Sequence, residues 1–554
     1  MDERTFSQCD EELSTLGTVQ KQLEQGVPLV QKQLEQRVAL VSRKRNTFAP
    51  INALPPELLV TIFKIALDFT HRGASSKHET LLLVCHHWNH LVNNTPSLWM
   101  KIRKTAGISN ARIIHSLKKS KDSPLEITCN IVSSDMGRRT QGGFLSAIFP
   151  HAHRWRKASL SLGGDGRAFG PMAKISTPLL ESISLSTDKA IRWAQDRPLN
   201  IFRGRPPPRL RELFLTGVPV PWSPKLFCNL NVLSISQMQH LAPSLDQLLA
   251  VLSACPCLES LAIRDVTFAG GTSAISLNTV HMAALGRLDL EEMEPEITNR
   301  LLAAIRAPDC KFGSLRCFLS GDPLEILFTS DISHFLDHMR SGAHAASITC
   351  GPVYTTLLWE GSWRIAVGLQ NIGAAKGALN WLRPLPERNA PVFPLQVIIN
   401  RSDSLLVQDI LAVMADTEGL HRVIFGYDTP VAGALRLLAT GSLVEGSTGR
   451  SFPELKEMWI QGSINDDGWE YLVSMLRRRQ GEIDARDGAP PLRKVRFGGN
   501  GYTGDESKEI SNFRLIHWPN RLEKVRRLLG PEGELVWYGR SVTEDGVLED
   551  RLTS

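Results

Sequence analysis

The dominant pattern in the chain is LxxLxL, with other aliphatic or aromatic residues standing in for leucine. It occurs at Leu180/Ile183/Leu185, Leu210/Leu213/Leu215, Leu230/Leu233/Ile235, Leu258/Leu261/Ile263 and Leu285/Leu288/Leu290. It returns at Leu420/Val423/Phe425, Leu455/Met458/Ile460 and Leu492/Val495/Phe497, and Trp155/Ala158/Leu160 is a degenerate first copy. Starts in the first block lie 30, 20, 28 and 27 residues apart. That is the period of units that each contribute one strand and bury nothing alone. Helical patterns at 246–254, 298–307, 405–415 and 469–479 fall between strands. The βαβα rhythm predicts an α/β fold with a curved parallel sheet. No clean copy occurs between 316 and 394, which predicts a long insertion or a break there. The Asn or Cys expected after the third leucine is mostly missing, so the last three copies are free to pack differently from the first five.

A different pattern governs the first hundred residues. Residues 20–30 read QKQLEQGVPLV and residues 31–41 read QKQLEQRVALV. Leu16, Val19, Leu23, Val30, Leu34, Val38 and Val41 step as one helix face does. Two readings stand: a coiled coil that dimerises the chain, or an amphipathic helix lying on its own chain. Gly26 and Pro28 interrupt the first copy, and a proline inside a helix costs about 3 kcal/mol. The basic turn Arg43-Lys44-Arg45 reads as an import signal or a solvated surface. From Leu54 the chain turns densely apolar. Pro55 and Pro56 suit a helix start, and Leu58, Leu59, Ile62, Phe63, Ala66 and Leu67 form a stripe wider than one core face needs. A second apolar run brings Leu82, Val84, Cys85, Trp88, Leu91 and Val92; Asn93-Asn94-Thr95-Pro96 ends it and Leu98-Trp99 follow. Three short helices are near the lower limit for a self-sufficient core. Part of this apolar surface is therefore expected to face a partner, by helix-in-groove docking.

Composition narrows the classes. The chain has 554 residues, 42% of them hydrophobic and 22% charged, with 63 basic and 57 acidic side chains. It can bury large cores, and its small excess of positive charge argues for neither nucleic acid nor an anionic membrane. No apolar run approaches the length of a membrane span, and the polar start, Met1 to Asp10, is no secretory signal. Nine scattered cysteines form no disulfide framework, so a reducing compartment, cytoplasmic or nuclear, is expected.

Candidate chemistry is sparse. His86 and His90 have metal-ligand spacing on a helix, with His78, Cys85 and His87 nearby, but no CxxC completes a zinc set; solvated histidines are the expectation. Cys255-Pro256-Cys257 reads as packing thiols. No phosphate-binding glycine loop and no GxSxG elbow occur, and no carboxylate pair stands out. The runs at 118–121 and 477–479 lack interleaved aromatics, so a nucleic-acid role is not expected. No cofactor, metal or catalytic residue is assigned, and the chain is read as a non-enzyme.

The residues from Leu54 onward resemble a known family. Leu54-Pro55-Pro56-Glu57-Leu58-Leu59 with Ile62-Phe63 is similar to the start of an F-box. Residues 83–91 are similar to its VCxxW element, and Pro96-Ser97-Leu98-Trp99 to its end. The polar stretch 68–79 departs from the compact family pattern. The resemblance implies docking on a Skp1-like scaffold subunit, and through it a cullin–RING ubiquitin ligase, with Leu54, Pro55, Leu59, Ile62, Val84, Cys85, Trp88, Leu98 and Trp99 as the Skp1-binding positions. Which of these face the partner and which the core stays open. Residues 115–120 with 124–127, and His153-Arg154-Trp155-Arg156, resemble two further elements of the F-box proteins common in mushroom-forming fungi.

The whole is then an N-terminal helical arm (1–47), an F-box-like module (48–105), a linker (106–150) and a divergent leucine-rich-repeat-like solenoid (151–554). The expected function is a substrate-receptor adaptor holding an unknown protein substrate. The alternatives are a repeat scaffold outside any ligase, or an enzyme with an unrecognised site at 316–394.

Overall fold

The computed structural model describes residues 3–23, 28–68, 77–105, 108–131, 135–162, 167–187, 198–239, 241–269, 279–318, 335, 339, 345–351, 355–369, 373, 376–377, 394–400, 404–414, 417, 419–427, 429–440, 452, 454–461, 464–479, 492–498, 519–537, 540–542 and 548–549. The glycine loop at 163–166, residues 499–501 and most of the polar stretch 68–79 lie outside them. The chain divides into two compact units, Met1–Leu230 and Asn231–Ser554.

The first unit opens with two helices, α1 (Glu3–Leu23) and α2 (Pro28–Thr47). Asp10 of α1 meets Arg45 of α2 at 2.5 Å, and Glu12, further along α1, meets Arg37, earlier in α2, at 3.5 Å, so the two run antiparallel as a hairpin. The two 11-residue copies therefore do different jobs. They differ at two positions only: Gly26 and Pro28 stand where the second copy has Arg37 and Ala39. The first copy straddles the break between the helices, and Pro28 becomes the first residue of α2, where a missing N–H costs nothing. The second copy runs through as continuous helix.

Helices α3 (Pro56–Asp68), α4 (Lys77–Val84) and α5 (His86–Asn94) follow. Strands β1 (Lys101–Lys104), β2 (Leu125–Ile131), β3 (Trp155–Leu162), β4 (Ser182–Thr187) and β5 (Glu212–Thr216) then pair in chain order, all parallel. The parallel pairing therefore begins earlier than the LxxLxL pattern. Residues 106–150, expected as a linker, supply α6 (Asn110–Lys119), β2 and α7 (Asp135–Ile148). Ile102, Ile127, Ala158, Ile183 and Leu213 share one register row, and all are buried. Arg154, the second residue of the His153–Arg156 element, is buried and fastens the turn after α6: its Nε donates to Ser123 O at 3.0 Å and its Nη2 to Ser120 Oγ at 2.6 Å.

In the second unit, β6 (Val232–Met238), β7 (Ser260–Val266), β9 (Arg287–Glu291) and β11 (Phe312–Phe318) are parallel neighbours. Between β7 and β11 the chain also forms a separate two-stranded pair, β8 (Val280–His281) with β10 (Ile305–Arg306). The LxL residues stack in register, Leu233 on Leu261 on Leu288 and Ile235 on Ile263 on Leu290, all buried. Helices at Leu245–Ser253 and Pro295–Ala304 cover them, the first opened by a reciprocal Ser244–Gln247 capping box. Gln237, Asp265 and Glu292 sit two residues beyond Ile235, Ile263 and Leu290, each with φ between 53 and 57°. Left-handed backbone costs a non-glycine residue roughly 1–2 kcal/mol. The same backbone turn thus recurs, and the position that Asn or Cys would take is filled by the buried Met238, Val266 and Met293.

Part of the 316–394 gap is filled by an antiparallel excursion. Strands β12 (Ala345–Cys350), β13 (Thr355–Glu360) and β14 (Trp363–Leu369) form a meander, with β14 lying parallel to β11 and β12 parallel to β15 (Leu395–Ile399). The parallel order then resumes through β16 (Leu420–Phe425), β17 (Glu457–Ile460), β18 (Lys494–Phe497) and β19 (Glu534–Trp537). The last copies keep the register of the first: Val423, Met458 and Val495 form one buried row. Antiparallel β20 (Arg540–Val542) and β21 (Leu548–Glu549) follow. On the other face of β16–β18, the Arg422 and Arg496 guanidiniums stack on Trp459 at 4.4 and 4.8 Å.

Gly313 explains the lost pattern at β11. It takes the row position of Leu288, and Trp363 takes the same row on β14. A Cβ on Gly313 would lie 2.5 Å from the Trp363 ring and 2.6 Å from Leu288 O. One indole fills the space of two side chains. Gly313→Ala is expected to cost about 1–3 kcal/mol through forced separation of β9, β11 and β14. Urea unfolding of the full chain reads this; an unchanged midpoint would contradict the packing described.

Candidate functional site

The module at 50–105 is built around α3, which carries apolar side chains on two faces. Leu59 and Phe63, four apart, are fully buried, and with Leu81, Val92, Leu98 and Trp99 they make the core. Leu54, Val60, Leu67, Leu82, Trp88 and Leu91 pack against it, half-buried. Leu58, Ile62 and Ile65, at i, i+4 and i+7, line a second face, and their exposures are 52, 40 and 50%. Leu83 at 84%, Val84 at 52% and Ile51 at 40% are also exposed, on the neighbouring elements. Six large aliphatic side chains of one small module are thus left in water, well beyond scattered surface residues.

Local chemistry fixes the frame. Cys85 splits the second apolar run into α4 and α5: its backbone is extended, and its Sγ accepts the Trp88 N–H at 3.5 Å as an N-cap. The break turns Leu83 and Val84 outward at the end of α4. The Trp88 ring lies 4.7 Å from Phe63, and its Nε1 donates to Asn52 Oδ1 at 2.7 Å. Asn52 Nδ2 in turn donates to Asn46 O at 2.6 Å, so one amide ties the end of α2 to the module. Trp99 donates from Nε1 to Val92 O at 2.8 Å.

The module also joins the sheet of its own unit without a spacer. Strand β1 starts two residues after Trp99, and His115 of α6 meets the Trp99 ring edge-on at 5.5 Å. Arg112 of α6 pairs with Glu79 of α4 at 3.0 Å. His78 lies inside this seam, stacked on Trp99 at 4.4 Å with its Nε2 2.8 Å from Leu98 O. Burial lowers its pKa, Arg112 adds to that, and the Leu98 carbonyl and Glu79 oppose it. The folded value is thus below the unfolded one. Between the two the unfolded chain binds more protons, so stability contributed at neutral pH is lost on acidification. Going from about pH 7.5 to about pH 5.5 is expected to lower the melting temperature of the Trp99 environment, and His78→Gln to flatten the dependence. A wild-type melting temperature independent of pH would contradict this.

The positions expected to bind a scaffold subunit sort into three groups. Leu59, Leu98 and Trp99 are buried; Leu54, Cys85 and Trp88 are half-buried; Pro55, Ile62 and Val84 are exposed. Ile51, Leu58, Ile65 and Leu83 were not among those positions; the four- and seven-residue steps from Leu58 lead to Ile62, which was, and to Ile65, which was not. His86, His87 and His90 are exposed on α5, and among the described residues no group of three or more His, Cys, Asp or Glu could hold a metal ion. Cys255 is buried and Cys257 exposed, so the pair faces different ways. Burial pushes the Cys129, Cys310 and Cys317 thiols up to about 12, which makes them poor nucleophiles. No helix among the described residues is long and apolar enough to cross a membrane.

No curated protein matches the chain. A family model described as F-box-like matches residues 51–105, the stretch that holds the two-faced helix, the Cys85 break and the Trp99 lock. That segment is F-box-like, and the rest of the chain is a large, mostly parallel sheet architecture in two units.

Proposed function

We propose that the chain is a substrate-receptor adaptor of a Skp1–cullin–F-box ubiquitin ligase. The observation that carries this reading is the exposed stripe Ile51, Leu58, Ile62, Ile65, Leu83 and Val84 on a segment similar to the F-box-like family. F-box domains typically dock on Skp1, and an apolar stripe at helical spacing suits a helix-receiving groove. In this reading Pro55, Ile62 and Val84 touch the scaffold subunit together with Leu58, Ile65 and Leu83. Leu59, Leu98 and Trp99 hold the stripe in place from beneath. The LxxLxL strands stack as leucine-rich-repeat-like units, and their polar faces present a protein target. The chain itself performs no chemistry: it brings the target near a ligase, where proximity raises the effective concentration. It works in the cytoplasm or nucleus.

The test is calorimetric titration of the full chain with a Skp1-like subunit. Saturable one-to-one binding with a negative heat-capacity change, the mark of apolar burial, is expected. Absence of binding by a chain whose melting is cooperative defeats the reading.

A further inference from the structure

We infer that the N-terminal helical hairpin pairs with the hairpin of a second copy of this chain, through the flank that carries Glu12, Val19, Val30, Arg37 and Leu40. Within one hairpin, the seam steps by four, three and four residues on each helix: Cys9, Leu13, Leu16 and Gln20 on α1, and Leu34, Val38, Val41 and Arg45 on α2. That is coiled-coil spacing. The seam is thinly filled. Cys9 and Leu34 are buried, while Leu13, Leu16, Val38 and Val41 are half-buried. Helices of this kind owe their stability mainly to packing of an apolar face, and this pair keeps apolar surface that it does not cover by itself.

Val19, Val30 and Leu40 are the exposed large aliphatic side chains on the described part of the hairpin, and helical steps put all three on one flank. The ion pair Glu12–Arg37, at 3.5 Å, marks which flank that is. Val19 lies seven residues after Glu12 on α1, and Val30 seven residues before Arg37 on α2. Seven residues are two turns, about 10 Å. The helices run in opposite directions, so both valines arrive at the same level, side by side. Leu40 lies three residues after Arg37, on the same side of α2. Thr15 and Gln33, neutral and exposed, lie between the ion pair and the valines. The other flank runs through Asp10, Gly17, Glu35 and Ser42, and among the described residues it offers no exposed large apolar side chain.

The charge pattern points to a second copy as the occupant. The flank holds one acid and one base at one level, Glu12 and Arg37, with side chains 48 and 69% exposed. A two-fold axis along the hairpin lays α1 of one copy over α2 of the other. Glu12 then faces the second copy's Arg37, and Val19 faces the second copy's Val30. Each charge meets its opposite and each valine a valine, whereas a partner of one charge sign would match half of the pair. Exposed ion pairs add little affinity; here they set the register. None of these five residues belongs to the F-box-like segment 51–105, so the pairing does not depend on ligase docking.

The test is sedimentation velocity of the full chain over a concentration series. A monomer–dimer equilibrium is expected. Val19→Glu with Leu40→Glu, both at exposed positions, should weaken it by roughly tenfold or more without loss of helix content. Leu58→Glu with Ile62→Glu should leave it unchanged. Glu12→Arg alone and Arg37→Glu alone should each weaken self-association, because like charges are then brought face to face. An equimolar mixture of those two chains should dimerise again. That rescue requires contact between copies, since each chain of the mixture still lacks its internal ion pair. A chain monomeric at every concentration, a dimer indifferent to the flank substitutions, or a mixture no more associated than its parts would each overturn the assignment.

Discussion

Leu58→Glu combined with Ile62→Glu should abolish association with a Skp1-like subunit while leaving the fold intact. Both side chains lie on the outer face of α3, 52 and 40% exposed in the free chain, so a carboxylate there stays solvated and costs the monomer little. In a complex the same carboxylate would be buried in an apolar groove without a partner, which is severely unfavourable. Central apolar anchors contribute roughly 2–4 kcal/mol each, so the pair should weaken binding by at least about a hundredfold. Pull-down and circular dichroism read the two halves. Loss of binding with an unchanged melt is the expected result; retained binding removes this face from the interface.

Phe63→Ala should act in the opposite way. Phe63 is fully buried and lies 4.7 Å from the Trp88 ring. Removing it leaves a cavity under both faces of the module, at a cost of about 3–5 kcal/mol. That is a large share of an ordinary domain's stability. Because Trp99 and α6 tie the module to β1, melting of the N-terminal unit should move with it. A drop in melting temperature with association lost in parallel is expected. Unaltered stability would mean that the core has been misplaced. The two substitutions together separate what the module is made of from what it offers.

Much of this was legible in the residues. The LxxLxL positions became buried rows in register, and the four helices were placed within a few residues. Gly26 and Pro28 marked a break, and the described helices α1 and α2 end at Leu23 and start at Pro28 on either side of it. What could not be read had local physical reasons. At β1 the core positions are Ile102 and Lys104, a lysine whose ammonium is buried and donates to Ile108 O, so no leucine pattern announces the first strand. At β11, Gly313 yields its space to Trp363, a residue fifty positions later. Between β11 and β15 the chain reverses direction, and periodicity carries no sign of strand polarity. Within the module, Leu58 and Leu59 are adjacent in sequence and opposite in fate. Only the position of the core tells them apart, and the core draws on Leu81, Val92 and Trp99 from later elements.

The account rests on one face of α3 and α4 being received by a partner, and hydrogen–deuterium exchange of the full chain with and without a Skp1-like subunit tests that most directly. Slowed exchange confined to 56–68 and 77–84, with the strands β2 to β5 unaffected, is the predicted result. A complex that protects the sheet and leaves those two helices unchanged would contradict it.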